Sequence, residues 1–501
     1  MRFHPRRDRR ANGGARTNAG TAGLKGVSMR IGRRLLGAMG ILLCSMALTA
    51  AEEVSAQASD QLAIVGGYLI DGQEGVPIQN SVVLVEGDRI THVGTVSDTE
   101  IPAGARVIDA NGLTVMPGLN EAHAHLFIIG HGFYDEYFPR YMGRWREIME
   151  IAARQLLMAG VTSARDLGAP LEDALYIRDE INAGRMVGPR LFVSGPFLQK
   201  SLPAPLGTSY DSRVQAFFRW TVDGPEDARQ KAQQLVDAGV DLLKVIQLSR
   251  LTREERMAIG EVAREAGLHI AVHASTVEEV GQAAEMGANS IEHMGGRPYP
   301  LYPEETIRLM ADNNIVASVT SMVSKVYDIT TEYPERLDNP QLKADLPPDM
   351  YEDVRGSLDF FSRLNYFSGA KDSNDHHPAK VRQLYENGIR LVIGTDSGTP
   401  MNFHYESTWQ EMDLFVRYGI PPMKVISMAT KFPALLYREF DEMGTIEPGK
   451  LADIIVVNGN PLRNMAALEQ NNVIHVIKGG VQYKGPGTNT RPVSDADALR
   501  D

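Results

Sequence analysis

Residues 117–440 alternate short apolar segments with amphipathic ones, and this alternation restricts the possible folds more than any other feature of the sequence. Seven segments have the length and composition of buried strands: "TSARDLG", "RLFVSGP", "DLLKVIQ", "LHIAVHA", "NSIEHMG", "IVASVT" and "RLVIGTD". The stretch "GLNEAHAH" adds an eighth, and helical patterns such as "EDARQKAQQLVDAG" lie between the strands. Eight strand and helix units predict an α/β protein with a TIM-type (β/α)8 barrel, whose active site lies at the C-terminal ends of the strands.

The two flanks of this region are rich in short strands that alternate apolar and polar residues. Residues 59–116 contain "NSVVLVEGDRITHVG", and residues 441–490 contain "KLADIIVVNG" and "NVIHVIKGGVQYKG". We therefore expect one small composite β-sandwich domain built from both chain ends, followed by a tail over residues 491–501.

The first 58 residues have the order of an export signal. Basic residues precede an apolar run, and a small-residue cleavage site follows between Ala58 and Ser59. This order predicts a periplasmic or secreted protein, with either Met1 or Met29 as its start. An uncleaved membrane anchor is the alternative, but the apolar run is short and interrupted by glycines.

Charge and cysteine content limit the possible partners and metal ligands. The leader carries a net charge of +7, so a total of −12 leaves about −19 for the remaining chain. An acidic body argues against nucleic acid and anionic membranes and favours a small-molecule substrate, while a homo-oligomer remains open. The one cysteine, Cys44, lies in the leader, so a transition metal in the mature protein must be bound by histidine and oxygen ligands.

Polar residues at the ends of the predicted strands are the candidate metal ligands. His123 and His125 are one residue apart, so both side chains project from the same face of an extended strand. Local hydrogen bonds could explain this pair, and each further candidate also has a structural explanation when taken singly. Together they end strands 1, 4, 5, 6 and 8 and should meet at one mouth; the further candidates are Lys244, His273, His293 and Asp396.

The motifs that carry these residues resemble the amidohydrolase superfamily, in its branch with two metals and a carboxylated lysine on strand 4. The resemblance rests on "VIDANGLTVMPGLNEAHAH", "AGVTSARDLG", "GPRLFVSGP", "GLHIAVHAS", "GANSIEHMG", "GIRLVIGTDSG" and "GTIEPGKLADIIVVNGNPL". It covers nearly all of the predicted mature chain and is strongest to the imidazolonepropionase-like and Xaa-Pro dipeptidase-like group. One departure is Asn120-Glu121, where the family usually has an aliphatic residue and Asp; we expect this change to retune the metal site.

The resemblance implies a ligand set and a reaction. It assigns the first divalent metal to His123, His125 and Asp396 and the second to His273 and His293, bridged by a carbamate that carbon dioxide forms on Lys244. Zinc fits such a set best, with manganese, cobalt and iron as alternatives. A hydroxide shared by the two metals would attack the scissile carbonyl, and Asp396 would pass the proton to the leaving nitrogen.

Substrate selection is expected in the loops after the strands. Two of these loops are long: "FLQKSLPAPLGTSYDSRVQAFFRW" after strand 3, and a segment of some sixty residues between strands 7 and 8. The second contains Tyr327, Tyr333, Tyr351, Phe360, Phe361, Tyr366 and Phe367. Its aromatic residues suggest a substrate with a bulky hydrophobic or aromatic group, such as a dipeptide or an N-acyl amino acid. The polar candidates for substrate binding are Lys200, Arg250, Arg297, Tyr299 and His404.

Three other functions remain open on the sequence alone. A mononuclear deaminase of the same superfamily is disfavoured by Lys244 and by the run "HAST", which lacks the carboxylate that usually follows His273 in deaminases. A binuclear esterase, lactonase or phosphotriesterase would use the same metal ligands. A binding protein without catalysis is disfavoured by the complete set of six ligands.

Overall fold

The computed structural model describes residues 61–200, 212–293, 296–364, 376–486 and 488. The predicted leader and the predicted tail lie outside these residues. Within them, none of the helices combines the length and the apolar character that crossing a membrane requires.

A mixed α/β fold runs through the described residues. Its strands are β1 (Gln61–Leu69), β2 (Ile78–Glu86), β3 (Arg89–Thr95), β4 (Arg106–Asp109), β5 (Thr114–Pro117), β6 (Leu119–Ala124), β7 (Val161–Asp166), β8 (Arg190–Val193), β9 (Phe197–Lys200), β10 (Arg219–Val222), β11 (Leu242–Val245), β12 (His269–His273), β13 (Ser290–Glu292), β14 (Val316–Ser318), β15 (Leu391–Val392), β16 (Ile454–Val457), β17 (Val473–Lys478) and β18 (Val481–Lys484).

Most of the helices lie between the parallel strands. They are α1 (Tyr134–Tyr141), α2 (Trp145–Met158), α3 (Leu171–Asn182), α4 (Ser212–Phe218), α5 (Pro225–Ala238), α6 (Arg253–Ala266), α7 (Val277–Met286), α8 (Glu304–Asp312), α9 (Ser321–Glu332), α10 (Pro340–Asp345), α11 (Pro348–Ser357), α12 (His377–Glu386), α13 (Ser407–Arg417), α14 (Pro422–Ala429) and α15 (Pro433–Tyr437).

Both flanks of the chain contribute to one eight-stranded sheet. Its order is β18-β17-β16-β5-β1-β2-β3, and β4 pairs with β1. The two flanks meet where β16 runs antiparallel to β5, with Ile454 opposite Pro117. In the described residues all of these strands belong to a single sheet, so the two-layered sandwich and its domain boundaries stay predictions.

The strands expected in the middle of the chain form two parallel sheets. One has the order β6-β7-β8, and the other has the order β10-β9-β11-β12-β13-β14-β15. Backbone hydrogen bonds connect these sheets at both of their meeting points, from Ala122 N to Ile393 O (2.9 Å) and from Asp241 N to Val193 O (2.9 Å). All six residues of β7 and all four of β11 are buried, as expected for parallel strands covered on both faces.

Two segments expected as loops contain regular structure. The stretch after β8 forms β9, α4 and β10, and β10 pairs in parallel with β9 along its whole length. The pair extends the sheet because β9 also pairs with β11, Leu198 opposite Val245. The segment between β14 and β15 contains α9, α10, α11 and α12.

Candidate active site

The parallel strands bring the predicted ligands to one end of the sheets. His123 lies in β6 and Lys244 in β11, while His273 is the last residue of β12. His293 follows β13 directly, and Asp396 lies a few residues beyond β15. The common C-terminal end of parallel strands therefore explains how residues far apart in the sequence become neighbours.

Asp396 faces two histidines with one carboxylate oxygen. Its Oδ1 lies 3.3 Å from His123 Nε2 and 3.0 Å from His125 Nε2. Burial alone raises the pKa of this carboxyl, but the neighbouring histidine charge and hydrogen bonds hold the pKa of Asp396 well below its ordinary value. Ligand atoms of His123, His293 and Asp396 all lie within 4.8 Å of one another, a spacing that one metal ion can bridge.

Hydrogen bonds orient the imidazole rings. His125 Nδ1 lies 3.2 Å from Gly168 O, and a carbonyl can only accept, so this nitrogen carries the proton. His123 Nδ1 lies 3.0 Å from Glu292 Oε2, and a carboxylate likewise accepts its proton. With the proton at Nδ1, each ring presents Nε2 to the cluster, the orientation found around protein-bound metals.

The other two histidines are bonded through different ring nitrogens. His293 Nδ1 lies 2.8 Å from Thr320 Oγ1, whereas His273 uses Nε2, at 3.2 Å from Ser275 Oγ. Their rings are adjacent, with centroids 4.3 Å apart. Burial, reinforced by the charge of Lys244, lowers the pKa of His273 to about 4, so this ring is neutral at neutral pH and able to ligate.

Lys244 is a buried amine without a hydrogen-bond partner among the described residues. Its side chain is 1% exposed, and Nζ and His123 Nε2 both lack such a partner. Burial lowers the pKa of Lys244 to about 8, although Glu292 and Asp396 act in the opposite direction. Two unsatisfied buried nitrogens inside a set of imidazole and carboxylate donors fit a metal centre.

The cluster lies in the floor of a cavity of about 630 Å3. One side of this cavity is an aromatic wall, formed by Phe127, Phe138, Phe197 and Phe218. Three arginines also line it: Arg219, Arg250 and Arg297. The cavity can therefore hold a small molecule with an apolar part and an anionic part beside the ligand cluster.

Comparisons with known proteins assign the family. The model of the Amidohydrolase family matches residues 114–482. The chain belongs to the amidohydrolase family. It is 26% identical over 270 residues to an imidazolonepropionase of Bacillus cereus strain G9842, a match that covers 48% of this chain and 61% of the relative. The match thus spans about three fifths of that curated relative's length.

The matches to solved structures of similar fold cover a larger share of this chain than the match to the imidazolonepropionase does. A Xaa-Pro dipeptidase with methionine bound in its active site has a TM-score of 0.66 and 26% identity, covering 85% of this chain and 100% of its own. A molinate hydrolase has a TM-score of 0.68 and 25% identity, covering 87% of this chain and 97% of its own. The resemblance expected from the sequence motifs is therefore confirmed.

The substrate-binding candidates of the amidohydrolase separate into two groups. Arg250 and Arg297 line the cavity, whereas Tyr299, Lys200 and His404 are not among its described lining residues. Lys200 is ion-paired with Glu255.

Tyr299 and His404 lie away from the cavity for opposite reasons. Tyr299 is 48% exposed, whereas His404 is buried and its Nε2 lies 3.2 Å from His125 O. Burial lowers the pKa of His404 to about 3. His404 therefore supports the backbone of a predicted ligand from outside the cavity.

The aromatic wall comes from unexpected parts of the chain. Of the described residues between β14 and β15, only Val323 lines the cavity, and Tyr366 and Phe367 lie outside the described residues. Phe127 and Phe138 instead follow β6 in the chain. Phe197 is the first residue of β9, and Phe218 is the last residue of α4. Phe197 and Phe218 lie in the long loop expected after strand 3, but the sequence pointed to the aromatic residues between strands 7 and 8 instead, so these four were missed.

A charged network behind the ligands was also missed. Arg165, buried in β7, donates from Nη2 to Glu292 Oε1 (2.7 Å) and from Nε to Ala122 O (2.7 Å). Burial alone raises the pKa of Glu292, but Arg165 and the His123 hydrogen bond hold it well below its ordinary value. Charged residues inside the predicted strands "TSARDLG" and "NSIEHMG" were the available signal, because an isolated charge in a buried strand requires a partner.

The unusual Asn120-Glu121 pair has a structural role. Glu121 accepts hydrogen bonds from His123 N (2.9 Å) and Thr395 N (2.8 Å), and so ties β6 to the segment that carries Asp396. Burial raises the pKa of Glu121 to about 7. Asn120 donates to Thr430 O (2.8 Å).

Proposed function

We propose that this protein is a metal-dependent amidohydrolase that hydrolyses a C–N bond of a small amide. The observation that carries the proposal is the close approach of His123, His293 and Asp396, whose ligand atoms lie within 4.8 Å of one another. The amine of Lys244, without a partner among the described residues, lines the same cavity. The family membership and the Xaa-Pro dipeptidase neighbour support the same bond type.

The proposed centre holds two divalent ions, and zinc fits the donors best. His123, His125 and Asp396 hold the first ion, and His273 and His293 hold the second. Lys244 would hold both ions as a carbamate, which forms when the neutral amine adds carbon dioxide and releases a proton. The pKa of about 8 supports this step, because it leaves roughly two orders of magnitude more neutral amine near pH 7 than an ordinary lysine has.

The protein residues orient the reactants and move one proton. When bound, the metal ions supply Lewis acidity that activates water and polarises the scissile carbonyl. Asp396, ionised and at the centre of the cluster, accepts the proton of the attacking water and delivers it to the leaving nitrogen. Glu292 and Gly168 keep the rings of His123 and His125 in the orientation that exposes Nε2.

The proposed substrate is a dipeptide or an N-acyl amino acid with a bulky hydrophobic or aromatic group. The aromatic wall supports the apolar part, since Phe127, Phe138 and Phe218 pack with ring centroids 4.8–5.7 Å apart and present a firm surface. Arg250 and Arg297 line the same cavity and add positive charge at exposed positions, which favours a substrate that carries a negative charge.

The proposed scaffold is a closed (β/α)8 barrel with β6, β7, β8 and β11 to β15 as its strands. Its support is the pair of hydrogen-bonded junctions between the two parallel sheets, together with the parallel bridge between Ala124 and Ser397. Export of the chain, with cleavage between Ala58 and Ser59, is proposed from the leader sequence alone. A native chain that begins near Ser59 by mass spectrometry would support export, and a soluble cytoplasmic chain that keeps Met1 or Met29 would refute it.

A substrate panel tests the proposed reaction. Zinc-loaded protein is assayed with dipeptides, N-acyl amino acids, aryl esters, lactones, phosphotriesters, hydantoins and aminated heterocycles, and kcat/KM is compared. We expect the best amide to exceed the best ester or lactone at least tenfold. An ester, lactone or phosphotriester ahead by tenfold would replace the amide assignment, and ammonia release with one bound metal would indicate a deaminase.

A further inference from the structure

Arg219 is a cation built into the aromatic wall. It begins β10, and its guanidinium carbon lies 5.5 Å from the ring centres of both Phe197 and Phe218. Such stacking fixes the plane of a guanidinium and keeps its donors aimed in one direction. Arg219 is therefore held in place before any ligand arrives.

The hydrogen-bonding capacity of this guanidinium is largely unused. Within the described residues its one hydrogen bond runs from Nη1 to the neutral Oε1 of Gln199 (3.1 Å), and no carboxylate lies within ion-pair distance. Its Nε is buried and without a partner there. Among the described residues, the partly buried guanidinium of Arg219 contacts the amide of Gln199 and the rings of Phe197 and Phe218. A cation in such surroundings favours binding of an anion.

Both carboxylates that line the cavity in the described residues have other partners. Asp396 faces His123 and His125. Glu279 accepts hydrogen bonds from Ser275 N (2.8 Å) and from Ser249 Oγ (3.0 Å). The other two cavity cations differ from Arg219, because Arg250 and Arg297 are exposed at the rim. Arg219 alone of the three is stacked within the apolar wall.

One aromatic ring separates Arg219 from the ligand cluster. The ring of Phe197 contacts His125 edge to face, with centroids 5.7 Å apart, and Arg219 lies against the same Phe197 ring. A substrate whose scissile bond lies at the ligand cluster can therefore contact Arg219 with a second group. That group lies about one amino-acid residue away from the scissile bond.

We propose that Arg219 binds a carboxylate of the substrate and so selects acids over their neutral amides. This inference rests on the proposed function and narrows its substrate class to amides whose apolar residue carries a free carboxylate. Arg219 is then a specificity-determining residue that contributes directed hydrogen bonds as well as charge.

The test compares an acid with its neutral isostere in two assays. Isothermal titration uses 3-phenylpropanoate and 3-phenylpropanamide with the zinc-loaded protein. Kinetics uses Ala-Phe and Ala-Phe amide, with release of alanine as the readout. We expect wild type to prefer the acid at least tenfold in both assays. Arg219→Met should remove this preference, with a roughly ten- to hundred-fold loss in kcat/KM on Ala-Phe that falls mainly on KM, and with little change on the amide.

Two variants separate recognition from structure. Arg219→Lys keeps the charge but not the planar donors, so it should retain part of the preference. Arg146→Met is the matched control, because Arg146 stacks on Tyr176 (4.4 Å) outside the cavity, and it should behave as wild type.

The possible outcomes distinguish the two proposals. The assignment of Arg219 is overturned if wild type binds acid and amide equally well, or if Arg219→Met still prefers the acid. Either result leaves the hydrolase proposal standing. Binding of 3-phenylpropanoate that depends on Arg219, in a protein that cleaves no amide of the panel, upholds the carboxylate site while the proposed reaction fails. Should Arg219→Met not fold, the wild-type ratio and Arg219→Lys decide.

Discussion

At the residue scale, two of the proposed ligands have a backbone conformation that is unusual for their residue types. His293 has φ 67° and Asp396 has φ 58°, both in the left-handed region. A non-glycine residue in this region costs about 1–3 kcal/mol and persists only where the surroundings impose it. Here the surroundings include the hydrogen bonds from Asp396 N to His123 O (2.7 Å) and from His293 N to Ser318 O (2.8 Å), which turn each side chain towards the cluster.

Replacing Asp396 by Asn tests the proposed proton transfer. The amide keeps the size and one oxygen of the side chain but cannot accept the proton. We expect kcat to fall by roughly 10²–10⁴-fold, with metal content reduced far less. Near-wild-type turnover on the best panel substrate would assign the proton acceptor to another group. Asp453→Asn, in the sheet formed by both flanks, is the control and should retain turnover.

At the element scale, the sequence motifs predicted the strands better than the segments between them. The eight expected strands are present as β6, β7, β8 and β11 to β15, because buried parallel strands are short apolar runs with a clear period. Strands β9 and β10 were missed, since each has only four residues and carries little periodic signal.

Within the candidate site, too, some residues were easier to predict from the sequence than others. The candidate ligands could be proposed from the sequence because each lies at or near the end of a recognisable strand. The aromatic wall could not, because it depends on which side chains meet after folding. For Arg165 and Glu292 the sequence indicated only that each buried charge requires a partner, and not which residue that partner is.

Strand β16 provides a prediction at this scale, because it joins the two flanks of the chain. Ile454 is buried between β5 and β17, whereas Val481 in β18 is 56% exposed. Ile454→Ala should lower the free energy of unfolding by about 2–5 kcal/mol, and Val481→Ala by less than about 0.5 kcal/mol. Urea denaturation of the two variants checks this difference, and equal losses would contradict the role of β16 as a core strand.

At the scale of the whole molecule, the fold gathers three chemical environments into one cavity. The C-terminal strand ends supply the imidazoles, the carboxylate and the amine, and the segments after β6 and β8 supply the aromatic wall and Arg219. The flanking strands form one sheet around β16, which places the start of β6 next to the parallel strands. The central claim is that this arrangement holds two metal ions bridged through Lys244.

Metal content of the purified protein and of two lysine variants tests that claim most directly. Lys478 is the matched control, because it is also buried with a pKa lowered by burial to about 8, but donates to Gly188 O (2.6 Å) away from the cavity. By inductively coupled plasma mass spectrometry, wild type and Lys478→Ala should each contain about two divalent transition-metal ions per chain, and Lys244→Ala should contain one or fewer. One ion per chain in fully loaded wild type, unchanged in Lys244→Ala, would contradict the binuclear centre.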